Sequence, residues 1–156
     1  MPADRISAGL LLFRGRGAEL EVLLVHPGGP LFRRKDAGCW SIPKGEAAPD
    51  EDLLTRAKIE FEEELGIKPH GDFIALGSIR QKGGKTVHAW AVAGDLPTGF
   101  LLRSNSFTME WPPRSGRQRT FPEVDRAEFF GENEARRKIN PAQMELLDRL
   151  AVSLPA

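Results

Sequence analysis

Gly45-Glu46-Ala47-Ala48-Pro49-Asp50-Glu51-Asp52-Leu53-Leu54-Thr55-Arg56-Ala57-Lys58-Ile59-Glu60-Phe61-Glu62-Glu63-Glu64-Leu65-Gly66-Ile67 packs four glutamates into five positions and then closes on a glycine. Apolar residues Leu54, Ala57, Phe61 and Leu65 recur at three- and four-residue intervals, which predicts a helix over 51–65 with that stripe buried. At 100° per residue, Glu60, Glu63 and Glu64 fall on one adjoining face, while Glu62 points elsewhere, toward solvent. Like charges at this spacing oppose the helix by roughly 0.2–0.5 kcal/mol per pair. Acids in the last turns also meet the negative end of the helix dipole, at roughly 0.3–1 kcal/mol each. Stability alone would place lysine there, so the face is built for a cation. An all-oxygen set of ligands suits a hard divalent ion such as Mg²⁺ or Mn²⁺, whereas zinc favours His or Cys.

The surrounding punctuation resembles the Nudix box, G-x5-E-x7-R-E-U-x-E-E-x-G-U with U a bulky apolar residue. Gly45, Glu51, Glu60, Glu63, Glu64 and Gly66 fill all six Gly and Glu positions, and Phe61 and Ile67 fill apolar ones. At ~7% per fixed position, six matches arise by chance in roughly one window in ten million. One position departs: the box arginine is Ile59. In the family this arginine braces the loop and orients the glutamates, so its loss bears on rate more than on metal binding. Arg56 and Lys58 lie nearby but point in other helix directions, and neither is an obvious replacement.

With 156 residues, 40% hydrophobic and 28% charged, the chain reads as a single domain, 1–156, with room for a core. Its 22 basic and 22 acidic residues cancel, which gives no reason to expect general adhesion to nucleic acid or membrane. Cys39 is the only cysteine, so no intrachain disulfide forms; it is expected inside a strand as a small core residue. With no signal or transit pattern and no apolar run of roughly 20 residues, the expected location is cytoplasmic.

Outward from the helix, strands are expected at 6–13, 20–25, 73–80, 86–93 and 107–111. Lys82-Gly83-Gly84-Lys85 signals a hairpin. Residues 114–119 read as a basic loop, and 132–138 and 141–150 as closing helices, the last with a Met144, Leu147, Leu150, Ala151 stripe. Strands interleaved with an inner and a late helix predict an α/β protein, an α/β/α sandwich. The Nudix resemblance implies the same fold, with a mixed β-sheet.

The resemblance further implies a metal-dependent hydrolase that cleaves a phosphoanhydride in a nucleoside diphosphate linked to another group. Glu60, Glu63 and Glu64 are then the catalytic and metal-binding acids, with one of them, Glu60 or Glu63, taking a proton from water. A fourth ligand is expected outside the box; Glu123 is the candidate and Glu110 its rival. Trp40-Ser41-Ile42-Pro43-Lys44-Gly45 resembles the approach to the box in the diadenosine polyphosphate and diphosphoinositol polyphosphate branches. Lys44, Arg33, Lys82, Lys85 and Arg119 are the expected substrate cations, with Arg34 and Arg117 beside them. Trp40 or Trp90 is the expected partner for a base, although core packing competes for both. Two other readings stand beside this one. Ile59 motivates a Nudix-fold nucleotide sensor with little turnover. An isoprenoid diphosphate isomerase would need a catalytic cysteine, for which Cys39 is poorly placed.

Overall fold

The computed structural model describes residues 5–155. In chain order its elements are β1 (Arg5–Arg14), β2 (Glu21–Pro27), β3 (Lys44–Glu46), α1 (Leu53–Leu65), β4 (Ile74–Gln81), β5 (Lys85–Ala93), β6 (Ser106–Glu110), β7 (Gln118–Pro122), β8 (Val124–Gly131), α2 (Glu132–Lys138) and α3 (Met144–Ser153). β1 is apolar on both faces: Ala8, Leu10 and Leu12 enter one buried cluster, Leu11 and Phe13 the other. A strand of that kind must be covered on both sides. α1 covers the first face through Ala57, Phe61 and Leu65, and α2 and α3 cover the second through Ala135, Leu146, Leu147 and Leu150. The result is the expected α/β/α arrangement.

The main sheet runs β4-β5-β1-β2-β8, and it is mixed, because β1 pairs parallel with β5 from Arg5↔Lys85 to Phe13↔Ala93 while the other ladders are antiparallel. β1 and β2 pair only at Phe13↔Val22 and Arg14↔Glu21, then splay. Residues 40–46 fill the gap. Ser41 exchanges backbone hydrogen bonds with Val25 (2.8 and 3.0 Å), Leu10 N–H donates to Pro43 O (3.0 Å), and β3 pairs with β1 through Ala8↔Gly45. Gly9 permits the wedge: a Cβ there would lie 2.7 Å from Ile42 Cδ1 and 2.9 Å from the Pro43 carbonyl. Lys44 and Gly45 thus stand mid-edge, directly under α1.

Several expectations need correction. On α1 it is Leu53, not Leu54, that packs with the buried stripe, giving Leu53, Ala57, Phe61 and Leu65 in strict fours; the contact follows one i±4 ridge. On α3 Leu146 is buried together with the expected Leu147 and Leu150, while Ala151 is exposed. Cys39 lies in a turn and is half-buried, because the chain enters the wedge only at Trp40. The basic loop is shorter than expected: from Gln118 the chain is β7, which pairs with β6 as a separate hairpin. β8, a full edge strand on β2, was not anticipated. Among the described residues no helix is long and apolar enough to cross a membrane.

Candidate active site

α1 begins where Asp52 caps it, its carboxylate accepting from Thr55 N–H (3.0 Å) and Thr55 Oγ1 (2.6 Å). It ends at Gly66, whose φ of 81° is the left-handed conformation that glycine adopts without strain. These caps fix the register at which the acids meet β3. Glu64 turns inward, is buried, and accepts from the Lys44 backbone N–H at 3.0 Å. Glu60 lies flat on β3: a Cβ on Gly45 would sit 1.8 Å from its Oε1. The box glycine therefore makes room for a carboxylate.

Charge in this corner is not balanced. Burial, and then the neighbouring Glu60, push the Glu64 carboxyl up to about 8; the Lys44 amide and ammonium act the other way, and Glu123 adds to the rise. Glu60 is raised too, first by burial, with the Arg56 hydrogen bond opposing and Glu63 adding to the rise through charge and a side-chain hydrogen bond. Lys44 is pushed below the usual lysine range by burial and by Lys85, while Glu64, Glu60 and Glu46 oppose that shift. The structure brings Glu60 within electrostatic range of Glu63 and Glu64, and Glu64 within range of Glu123. It separates Glu110, which sits at the far tip of the β6–β7 hairpin and accepts from Arg114 N–H at 2.7 Å.

The arrangement also shows what stands in for the missing arginine. Arg56 donates Nε and Nη2 to Glu51 Oε2 (2.9 and 2.6 Å) and Nη1 to Glu60 Oε2 (3.1 Å). Glu51 Oε1 in turn accepts from Ala48 N–H (3.0 Å), so one guanidinium joins the loop before α1 to an acid upon it. Helix direction had argued against Arg56, but a long side chain reaches across one turn, and Glu51 lies outside the helix altogether.

Among the described residues no three His, Cys, Asp or Glu side chains gather tightly enough to hold a metal ion as they stand. The acids nevertheless meet pairwise, all donors are carboxylate oxygens, and burial, with neighbouring carboxylates second, raises the affinity of Glu60 and Glu64 for protons. The donor chemistry fits a hard divalent ion.

The expected cations divide between two flanks. Lys85 opens β5 close to Lys44, and with Lys82, Gln81, Asn140, Pro141 and Ala142 it lines a cleft of about 340 Å³. Arg33 and Arg34 lie on the loop after β2, and Arg119 is exposed on β7 opposite Met109. Trp40 is not free to stack: it is fully buried, its indole N–H donates to Asp36 (2.7 Å), and its ring packs edge-on against His26 and Phe130. Trp90 packs against the cluster beneath α1. A cavity of about 520 Å³ lies at the opposite end of β1 beside Phe13 and Arg14, away from the acids.

Comparison with known proteins agrees with the geometry. The family model of the NUDIX domain matches residues 3–150. No curated protein matches. The fold is similar to a C. elegans Ap4A hydrolase in a binary complex, at TM-score 0.66 and 20% identity over 94% of this chain and 96% of that one. It is likewise similar to the NUDIX domain of Shewanella oneidensis NrtR complexed with ADP ribose (TM-score 0.69, 15% identity, 99% and 91% covered) and to a mutT/nudix family protein from Listeria innocua (0.63, 16%, 98% and 95%). With the box matched from Gly45 to Ile67 and the family model spanning nearly the whole chain, the protein belongs to the Nudix hydrolase family, whose members hydrolyse nucleotide pyrophosphates.

Proposed function

We propose that this chain is a divalent-metal-dependent pyrophosphohydrolase acting on a dinucleoside polyphosphate or a closely related nucleotide. The observation that carries the reading is the acid corner in which Glu60 and Glu64 lie against Lys44, with Glu63 beside Glu60 and Glu123 beside Glu64. Those four carboxylates are the proposed holders of Mg²⁺ or Mn²⁺, which when bound neutralises phosphate oxygens and lowers the pKa of a coordinated water. The protein's own groups do the rest. Lys44 faces the phosphate chain, Arg56 keeps Glu51 and Glu60 in place, and Glu60 or Glu63 receives the proton of the attacking water.

The flanking charges favour a long substrate. Four strand spacings of ~4.8 Å, roughly 19 Å, separate β5 from β8 across this edge. Lys82 and Lys85 stand on one side of the acids, and Arg33 and Arg34 beyond the other. A short diphosphate would need only one flank. The neighbour described as an Ap4A hydrolase is consistent with this choice. The sensor alternative drew on Ile59, and the Arg56 contacts to Glu51 and Glu60 weigh against it.

The test is hydrolysis of diadenosine tetra- to hexaphosphate, nucleoside triphosphates, nucleotide sugars and diphosphoinositol phosphates with Mg²⁺, Mn²⁺ or neither. Metal-dependent turnover above ~1 s⁻¹, an ordinary enzyme scale, is expected on a dinucleoside polyphosphate. Saturable binding without turnover of any of them would favour the sensor.

A further inference from the structure

We propose that the cleft between the loop at residues 28–35 and the tip of the β6–β7 hairpin is a nucleoside 5′-phosphate subsite, with the base stacked on Trp111 and its phosphate held by Arg33 and Arg34. The inference rests on the polyphosphate reading of the acid edge and names where one end of that substrate lies. The cleft has a volume of about 330 Å³ and is lined by Pro30, Leu31, Arg33, Arg34, Lys35 and Trp111. That is the low end of small-molecule sites, enough for one nucleoside and not for a whole dinucleotide.

Its charge is one-sided. No acid lines it, and among the described residues Arg33 and Arg34 have no partner. Among the other described arginines, Arg14, Arg56, Arg136, Arg137 and Arg149 each hold a carboxylate, whereas Arg16, Arg103, Arg117 and Arg119 do not. Two adjacent guanidinium groups left without an anion, beside an indole, form a set that binds a phosphate carrying a flat ring.

The loop that presents them is tethered. Gly28 N–H donates to Glu123 O (2.9 Å), and a Cβ on Gly28 would lie 2.0 Å from the Pro122 carbonyl. Gly29, at φ 96°, lies so close to the Phe107 ring that a Cβ would meet it at 2.7 Å. Fully buried His26 donates Nε2 to the Lys35 carbonyl at 2.6 Å while Nδ1 faces Asp125 at 2.7 Å. Little ordering remains to be done when an anion arrives.

Trp111 differs from Trp40, which is fully buried and hydrogen-bonded through its indole, and from Trp90, which packs against the cluster beneath α1. It is half-buried at the hairpin tip, held by its backbone N–H to Arg117 O (2.9 Å), and its indole N–H has no partner among the described residues. The hairpin's foot, Pro122, adjoins Glu123. Five β6 residues at ~3.4 Å each put the tip roughly 17 Å from that acid, a distance that a chain of several phosphates spans and a single diphosphate does not. The geometry therefore selects long polyphosphates.

Calorimetric titration of the full chain without divalent metal, using ATP and inorganic tripolyphosphate as probes, tests this. Trp111→Ala should weaken ATP at least about fivefold and leave tripolyphosphate within about twofold, with Trp111→Phe close to wild type. Arg33→Ala/Arg34→Ala should weaken both at least about tenfold. Wild-type ATP affinity in Trp111→Ala, or wild-type affinity for both probes in the arginine variant, overturns the subsite. Hydrolysis separates it from the reading beneath it. Turnover with unchanged KM for diadenosine tetraphosphate in Trp111→Ala sinks the subsite alone. No turnover in the wild type, with Trp111-dependent ATP binding, sinks the catalytic reading and keeps the subsite.

Discussion

The two ends of the central sheet treat charge in opposite ways. At the Phe13 end, Arg14 is shared between Glu21 and Asp95, each at 2.8 Å, and its guanidinium stacks 3.8 Å above the Phe129 ring. Arg14, at least, has its charge fully answered there, beside a cavity of about 520 Å³. At the Lys44 end, Glu60 and Glu64 are held above the usual carboxylate range and Lys44 below the lysine range. The chain answers Arg14 with two carboxylates yet leaves the acid corner with burial working against its charges. Cavity size is thus the poorer guide to function, and unanswered charge the better one.

The sharpest way to break the contrast is Glu63→Gln, which should lower turnover at least ~100-fold with the fold intact by circular dichroism. Near-normal activity would move the site elsewhere. Arg56→Ala should cost roughly 10- to 100-fold in kcat with a smaller change in KM, because Glu60 and the loop at Glu51 lose their brace. Adding Ile59→Arg in that background should restore most of the rate. Ile59→Arg alone should change little, since the brace is already present; a large gain would show that Arg56 is a poor substitute.

A smaller effect concerns stability. Between about pH 4.5 and 8, Glu64 is ionised in the unfolded chain but protonated in the folded one, so the folded state binds the extra proton. Metal-free protein should therefore lose stability as pH rises through that window. Glu64→Gln should raise Tm by several degrees near pH 8, with the advantage shrinking toward pH 5. An advantage equal at both pH values would contradict the burial argument. Smallest of all, Arg14→Ala at the balanced end should cost no more than about 1 kcal/mol in a denaturant melt and leave kcat unchanged, as half-exposed ion pairs do.

How much of this was legible in the sequence follows how local each feature is. The acids, their glycines and the helix that carries them lie within one stretch, so their spacing together with the Nudix-box resemblance exposed them, and strands interleaved with an inner and a late helix pointed to the layered fold. β8 escaped because Asp125, Arg126 and Glu128 break its alternation; an edge strand tolerates charge that an inner one would not. The Arg56 brace was hidden by treating helix direction as if side chains had no length. The cleft at Trp111 joins segments nearly eighty residues apart, and no local pattern links Arg33 to a hairpin tip. Glu123 was a candidate by its place before Phe129-Phe130, whereas its nearness to Glu64 required the fold.

The central claim is that divalent cations belong among Glu60, Glu63, Glu64 and Glu123. Mn²⁺ titration of the metal-free protein near pH 7, by calorimetry in buffers of different ionisation enthalpy, tests it most directly. Binding should release close to one proton per ion, because Glu64 must give up the one it holds, and Glu64→Gln should abolish that release. Absence of binding, or binding that releases no proton in the wild type, would contradict the account.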